Sequence, residues 1–307
     1  MTDFGADDSF ADAVEKIKEH YGITVPASAV REVTQRHAEG MRGRDLEADL
    51  APTGVEQLIA EMDGSMVPIV SFAEAERNGS TKDKRKSRKT EWKQARLVLV
   101  RKPTAVSKLY NATMADAERA GAQLLDLAIA AGAGQQTRMH CLGDGASWIV
   151  EQVEDKFGQR ASFLIDFYHV SEYLAAAAEV IARANKGEWL SQQQELLKAS
   201  RADLVSDELR SKLEEETDQQ RRQPILACER YLSNRQAYLD YESALKAGLP
   251  IGSGEVESGH RSVIQKRLKM SGAWWKIENA EKMLALRAVR ANGEWQSYWD
   301  NLRQAAA

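Results

Sequence analysis

Residues 137–149 read Thr-Arg-Met-His-Cys-Leu-Gly-Asp-Gly-Ala-Ser-Trp-Ile, and this stretch decides the fold class. Its first half, 137–142, predicts a strand that stops at the Gly-Asp-Gly sequence of 143–145. Apolar residues between 148 and 153 then recur at helical spacing and predict a helix. A strand that passes through a glycine turn directly into a helix is typical of α/β folds.

Further strands are predicted on both sides of this stretch. Residues 161–165 and 97–100 are short runs rich in apolar residues, and residues 62–72 are densely apolar, so each predicts a strand. Residues 55–60 alone fit either a strand or a helix. With a helix predicted over 115–131, the chain order is strand, strand, helix, strand, helix, strand. This order predicts an α/β fold with a mixed sheet rather than a helical bundle.

The remaining segments are predicted to be mostly helical. Residues 171–246 are rich in Ala, Leu, Glu, Gln and Arg and contain no convincing strand, which indicates a large helical insertion. A loop over 249–254 leads into a helix from about 255 to 269, a last helix carries residues 283–289, and the Ala-rich tail is expected to be loose. The predicted organisation is a small N-terminal helical segment at 1–50, the first part of an α/β domain at 55–170, the helical insertion at 171–248, the final helices of that domain at 249–292, and the tail at 293–307.

The N-terminal segment has the outline of a helix-turn-helix. Apolar residues recur at helical spacing over 10–17, Gly22 ends that helix, and a second apolar series starts at Val30. A helix-turn-helix binds DNA. Any short helical hairpin has the same pattern, so a plain packing role remains the alternative.

Net charge argues against a polyanionic partner, but the distribution of charge does not. The chain has 42 Lys and Arg against 46 Asp and Glu, a net charge of −4. Between Thr81 and Lys102, however, ten basic residues face two acidic ones. Such a run indicates either nucleic-acid contact or a solvated face. The candidate DNA-binding residues in this run are Lys84, Arg85, Lys86, Arg88 and Lys89.

Cysteine usage and the N-terminus indicate a soluble, cytoplasmic protein. Cys141 and Cys228 lie far apart without a CxxC pairing, so the chain has neither a disulfide framework nor a zinc ribbon. The acidic start MTDFGADDSF differs from a signal peptide, and no stretch approaches 18 uncharged apolar residues.

Acidic residues beside glycines are the candidates for chemistry. Asp63 precedes Gly64, Asp144 stands between two glycines, and Glu255 and Glu257 follow a Gly-Ser-Gly loop. Carboxylates converging from separate elements suit Mg²⁺ or Mn²⁺, which prefer oxygen ligands. Two such ions about 3.5–4 Å apart can activate a nucleophile and stabilise the leaving oxygen of a phosphodiester. A single Asp at a strand end is also a common cap or turn former, so Asp144 as a helix cap remains an alternative.

Helix geometry favours Glu257 over Glu255 as the ligand. Glu257 shares its face with Ile264 and Leu268, so that face is expected to pack inward, whereas the face of Glu255 is expected to be solvated.

Several other side chains admit two roles each. His169 either orients a phosphate or a metal-bound carboxylate, or it is a core histidine. His140 is expected to pack in its strand, and His260 is undecided. The Trp274-Trp275 pair either stacks on unpaired bases or packs in the protein.

Five motifs in order resemble one family of enzymes. They are Met62-Asp63-Gly64, the sequence of 142–149, Ile165-Asp166-Phe167-Tyr168-His169, the sequence Ile-Gly-Ser-Gly-Glu-Val-Glu-Ser of 251–258, and the sequence of 267–272. Over most of the chain they resemble the DDE transposases of bacterial insertion sequences, closest to the ISKra type. The resemblance implies an RNase H-like core with a helical insertion before the glutamate. It also implies a catalytic triad of Asp63, Asp144 and Glu257 that binds two Mg²⁺ or Mn²⁺ ions, and an auxiliary Asp-x-x-His element at Asp166 and His169.

The function expected from this resemblance is metal-dependent cleavage and strand transfer of DNA. Its partners would be the transposon ends and the target DNA, with a homodimer or larger synaptic assembly and no membrane. The alternatives are an RNase H-like nuclease without strand transfer and a non-catalytic DNA-binding regulator derived from a transposase. Candidate DNA contacts in the C-terminal part are Arg261, Lys266, Arg267, Lys269 and Trp274.

Overall fold

The computed structural model of the chain describes residues 1–42, 50–72 and 88–305. Its contacts divide the chain into two units, one of Met1–Thr137 with Glu255–Ala307 and one of Arg138–Gly254. The first unit therefore combines both ends of the chain, whereas the second is one continuous segment. Neither unit boundary falls at residue 171, where the helical insertion was expected to begin.

Three antiparallel strands form the sheet of the first unit. Strands β1 (Gln57–Phe72) and β2 (Arg88–Arg101) pair along their length, and β3 (Leu109–Thr113) pairs with the other edge of β2. The predicted strands around residues 62–72 and 97–100 are confirmed, and most of the ambiguous stretch 55–60 is strand. Asp63 lies opposite Leu97, so the candidate carboxylate sits in the middle of a long strand pair.

Helices cover one face of this sheet. Val67 and Ile69 of β1 and Leu97 and Leu99 of β2 pack in one buried cluster with residues of the C-terminal helices, among them Val263. The described helices of this unit are α1 (Thr2–Asp7), α2 (Phe10–Tyr21), α3 (Ala27–Gly40), α4 (Ala117–Ala130), α11 (Gly254–Gly259), α12 (Lys266–Leu268), α13 (Ile277–Ala291) and α14 (Trp295–Ala305), with a π-helical turn (His260–Gln265) between α11 and α12. The predicted N-terminal pair of helices corresponds to α2 and α3, and Gly22 ends α2 with a φ of 68°.

Three elements of the first unit were not predicted. Strand β3 is short, and its Tyr110 exchanges two hydrogen bonds with the side chain of Asn292, a residue 182 positions away. Helix α1 is only six residues long. Residues 295–305 of the expected loose tail form α14, and its Trp295 and Tyr298 pack against the buried cluster.

The second unit is a parallel strand pair followed by helices. Strands β4 (Arg138–Gly143) and β5 (Ala161–Ile165) are parallel and are joined through α5 (Ser147–Phe157), as the sequence of 137–165 predicts. No strand occurs after β5 in this unit, all of which the structure describes. Its remaining α-helices are α6 (Phe167–Ile181), α7 (Lys186–Lys198), α8 (Ala202–Glu215), α9 (Gln219–Ser233) and α10 (Tyr241–Lys246).

The α/β class is confirmed in both units. The first unit pairs its strands antiparallel and the second pairs them parallel, so the strand pairing is mixed, as the sequence predicts. The RNase H-like topology stays a prediction.

Candidate active-site residues

Asp63 is held by a histidine from the C-terminal helices. Its Oδ2 lies 2.9 Å from Nε2 of His260, and its Oδ1 accepts the N–H of Gly64 at 2.6 Å. The Asp63 side chain is 33% exposed, whereas that of His260 is 6% exposed. Nδ1 of His260 is buried without a hydrogen-bond partner among the described residues. A carboxylate oxygen only accepts hydrogen bonds, so Nε2 of His260 carries a proton in this contact and donates it to Asp63.

A buried glutamate that sequence reasoning missed lies two residues before Asp63. Glu61 is fully buried, and its Oε2 accepts the N–H of Val256 in the first turn of α11 at 2.8 Å. Residues two apart in a strand share a face. Glu61 and Asp63 therefore both face the helices, each bonded to a residue near Glu257. The signal available in the sequence was this two-residue spacing within an otherwise apolar strand.

The expected orientation of the two candidate glutamates is wrong. Glu257 is exposed, whereas Glu255 lies 2.7 Å from the Arg101 guanidinium and 3.6 Å from the Lys108 ammonium. The prediction assumed regular helix geometry across the whole segment. A π-helical turn adds one residue to its turn, so Ile264 aligns with Val256 rather than with Glu257. The catalytic role of Glu257 stays a prediction.

Gly259, the last residue of α11, fixes how closely this helix approaches the sheet. A side chain at Gly259 would place its Cβ 2.8 Å from the ring of Tyr110 and 2.9 Å from Leu97. These distances are too short for any larger residue without displacement of the sheet or the helix. Gly259 therefore sets the position of α11 and of the glutamates it carries.

In the second unit, two aspartates directly follow the two parallel strands. Asp144 comes after the last residue of β4 and Asp166 after the last residue of β5, and those two last residues are paired in register. Because the carboxyl ends of parallel strands meet at one sheet edge, the two aspartates share that edge. Asp144 is half-buried, and its Oδ1 accepts the N–H of Ala146 at 2.9 Å. Helix α5 begins at Ser147 without a side-chain cap, so Asp144 closes the turn before the helix and does not cap it.

Helix α9 holds the backbone of this turn. The Tyr231 hydroxyl donates to the carbonyl of Asp144 at 2.7 Å, and Nε of Arg235, just past α9, donates to the carbonyl of Gly145 at 3.1 Å. The Arg235 guanidinium also lies over the Tyr231 ring, 4.3 Å from its centroid. Burial raises the pKa of Tyr231, so its hydroxyl stays a donor at neutral pH. Gly145 adopts a φ of 76°, a conformation that favours glycine.

Asp166 is a buried cap with four donors. Its Oδ1 accepts the N–H groups of Tyr168 and His169 at 2.6 and 3.2 Å, which caps α6. Its Oδ2 accepts the N–H of Ser253 at 2.7 Å and the Ser253 hydroxyl. Asp166 therefore joins the end of β5 to the Gly-Ser-Gly loop, a structural role that the motif alone does not reveal.

The structure shows the surroundings of His140, His169 and His260. The His169 side chain is 36% exposed and its ring lies beside those of Tyr173 and Tyr231, so it is not a core histidine. His140 is buried, with Nε2 2.8 Å from the carbonyl oxygen of Pro250, which confirms its packing role. His260 contacts Asp63 through its Nε2.

The candidate DNA-binding residues have different surroundings. Lys84, Arg85 and Lys86 lie outside the described residues. Arg267 is buried, its guanidinium lies between the rings of Phe10 and Trp275, and its Nε donates to the carbonyl of Gly5 at 3.1 Å. This placement argues against a direct DNA contact by Arg267. The exposed candidates are Arg88, Lys89, Arg261, Lys266, Lys269 and Trp274.

The three candidate carboxylates offer donor atoms that suit Mg²⁺, but the described side chains do not form a ready metal-binding group. Asp63, Asp144 and Glu257 are each at least partly exposed and offer the oxygen atoms that Mg²⁺ prefers. Across residues 1–42, 50–72 and 88–305, however, no three His, Cys, Asp or Glu side chains form a group that could hold a metal ion. Over the same ranges, no helix is long and apolar enough to cross a membrane.

Comparison with known proteins places the chain in a family. A profile described as "Uncharacterised protein family (UPF0236)" matches residues 133–301. A protein of Streptococcus gallolyticus, "UPF0236 protein in vanSb 3'region", is 28% identical over 159 residues, which are 51% of this chain and 34% of that relative. The chain therefore spans about a third of the length of this curated relative. The matched residues include Asp144, Asp166, His169 and Glu257 and exceed half of the sequence, so the chain belongs to the uncharacterised protein family UPF0236.

Proposed function

We propose that this chain is a DDE-type transposase that cleaves and transfers DNA strands at insertion-sequence ends, with Asp63, Asp144 and Glu257 as the metal-binding triad. The proposal rests on the five motifs that resemble DDE transposases and on the placement of their acidic residues. Asp63 lies in the middle of the long strand β1, Asp144 directly follows a parallel strand, and Glu257 is on a helix after a long helical segment.

One observation carries the proposal furthest. Two hydrogen bonds join β1 to the segment that bears Glu257, one from Val256 to Glu61 and one from His260 to Asp63. A strand carboxylate and a helix glutamate 194 positions apart in sequence thereby belong to elements in direct contact. This arrangement supports a shared role for Asp63 and Glu257.

Several side chains of this chain would position the carboxylates of the triad. His260 fixes the rotamer of Asp63, and Glu61 anchors the first turn of α11. Tyr231 and Arg235 hold the backbone that carries Asp144. Mg²⁺ or Mn²⁺, when bound, supplies activation of a nucleophile and stabilisation of the leaving oxygen. Asp63, Asp144 and Glu257 would hold these ions.

The test is Mn²⁺-dependent nicking and strand transfer on DNA that carries the element's terminal repeats. We expect Asp63→Asn, Asp144→Asn and Glu257→Gln each to reduce both products to the level seen without metal, because an amide replaces a charged oxygen ligand. Matched controls are Asp155→Asn, an exposed aspartate of α5, and Glu255→Gln, which tests the choice of glutamate.

The outcomes separate the candidate functions. Full activity of Asp144→Asn would show the triad to be wrong. Nicking without strand transfer would favour the RNase H-like nuclease. A wild-type chain that binds the ends but shows no metal-dependent reaction would favour the DNA-binding regulator.

A further inference from the structure

The first unit carries an exposed aromatic surface that the proposed triad does not use. Four large apolar side chains are exposed on it: Met66 and Phe72 of β1, Trp92 of β2, and Trp274, at 45%, 44%, 56% and 37% of their full area. In the β1–β2 register, Phe72 lies opposite Arg88. We name these five residues the Trp92 face.

Strand geometry places these side chains together. Met66, Phe72, Arg88 and Trp92 all belong to the same face of the β1–β2 pair, because side chains alternate and directly paired residues share a side. The Trp274 ring lies 6.3 Å from the Trp92 ring, tilted by 60°, and the Arg88 guanidinium is 5.4 Å from the Trp274 centroid.

The neighbouring tryptophan shows that this exposure is specific to one face. Trp275 pairs with the edge of β1, donating its N–H to Pro68 and accepting the N–H of Val70, and its ring is buried in the core cluster. Trp274, one residue earlier, is exposed beside Trp92. Trp275 therefore has the packing role considered for the pair, and Trp274 is free to stack on a ligand.

The charge of the Trp92 face is basic. Arg88 is exposed on this face, whereas Lys89, Glu91 and Lys93 alternate with it along β2 and belong to the opposite face. A ligand of this surface therefore combines planar apolar groups with negative charge.

We infer that the Trp92 face binds an unpaired DNA strand, with bases stacked on Trp92 and Trp274 and a phosphate beside Arg88. Bases of a duplex stack on one another, whereas unpaired bases offer their faces to aromatic side chains. The inference deepens the proposed function and rests on it, since cleavage at an element's ends produces strand ends that can unpair. Asp63 belongs to the opposite face of β1, so binding here is separable from the proposed triad.

The test compares DNA probes by fluorescence anisotropy with the full chain and without added metal. The probes are a labelled single strand of about 16 nucleotides, the duplex of the same length, and an abasic strand with the same number of phosphates. We expect Trp92→Ala and Trp274→Ala each to weaken single-strand binding roughly 5- to 150-fold, the fold-change for about 1–3 kcal/mol per stacked base. Binding of the duplex and the abasic strand should not change.

Three further variants make the result specific. Trp92→Phe keeps a stacking ring and should retain most of the affinity. Trp299→Ala removes a tryptophan of α14 outside this face and should have no effect. Arg88→Ala should reduce the slope of log K against log salt by about 0.7, the value for one phosphate contact on a single strand, and the tryptophan variants should leave the slope unchanged.

Either of two results overturns the inference. One is unchanged single-strand binding by folded Trp92→Ala and Trp274→Ala; the other is an equal loss on the abasic strand. If the wild type cleaves terminal-repeat DNA and either result holds, the inference fails and the proposed function stands. If the tryptophan variants lose single-strand affinity but no metal-dependent cleavage occurs, the surface stands and the catalytic proposal fails.

Discussion

At the scale of single residues, the structure shows neighbours of the candidate carboxylates that the sequence does not indicate. Sequence patterns identify Asp63 and Asp144 because each stands beside glycine near a strand. They do not identify Glu61 or His260, since hydrogen bonds between residues about 200 positions apart leave no periodic signal. The contact between His260 and Asp63 depends on the fold as a whole.

His260→Ala tests whether this contact positions Asp63. Loss of the Nε2 donor should weaken Mn²⁺ binding and Mn²⁺-dependent nicking about 10- to 100-fold, the usual effect of removing a residue that orients a metal-binding side chain. His260→Gln is the matched variant, because its amide N–H reaches a similar position and should recover most of the affinity. Mn²⁺ affinity is measured by electron paramagnetic resonance and nicking by gel assay. Equal losses in the Ala and Gln variants would contradict a positioning role.

At the scale of elements, predictions succeeded where a regular pattern covered several residues. The strands at 138–143 and 161–165 and the helix between them follow from their apolar patterns. Strand β3 has no such pattern and depends on Asn292 for two of its hydrogen bonds. The orientation of Glu257 could not be predicted either, because nothing in the sequence marks the π-helical turn that shifts the helix face.

Helix α9 provides a test of how an element supports a site. Tyr231→Phe removes the hydroxyl that donates to the Asp144 carbonyl and should lower the free energy of unfolding by about 1 kcal/mol, with more if the carbonyl stays buried and unpaired. Tyr238→Phe is the control, because its hydroxyl makes a 3.3 Å bond at an exposed site and its loss should cost under about 0.5 kcal/mol. Urea unfolding measures both. If Tyr231→Phe is as stable as the wild type and nicks DNA equally well, α9 does not support Asp144.

At the scale of the whole chain, long-range contacts reveal roles of acidic residues that the net charge does not show. The total of −4 averages over the basic run of residues 81–102 and an acidic N-terminus. Part of that acidity is structural: Asp7 at the end of α1 is bonded to Arg287 of α13, and it lies 3.2 Å from Arg290 and 3.3 Å from Lys266. The first helix is thus fastened to the last third of the sequence.

This fastening makes the stability of the first unit depend on pH. Burial of Asp7 raises the pKa of its carboxyl, but Arg290, Arg287 and Lys266 outweigh burial and hold that pKa below the ordinary value of 3.8. A lowered carboxyl pKa gives stability that is fully present above the ordinary value and is lost as pH falls through the lowered one. Asp7→Asn should therefore lower the free energy of unfolding at pH 7 by about 1–3 kcal/mol, because it removes a charged partner from a nearly buried arginine.

The same variant should also lose part of the acid sensitivity. Between pH 5 and about pH 2.5 the wild-type chain should lose more stability than Asp7→Asn, so the two curves converge as Asp7 becomes protonated. Asp12→Asn, at an exposed position of α2, is the control and should follow the wild-type slope. Urea midpoints at several pH values measure the effect. Parallel curves for wild type and Asp7→Asn would show that the charge of Asp7 does not fasten α1 to the C-terminal helices.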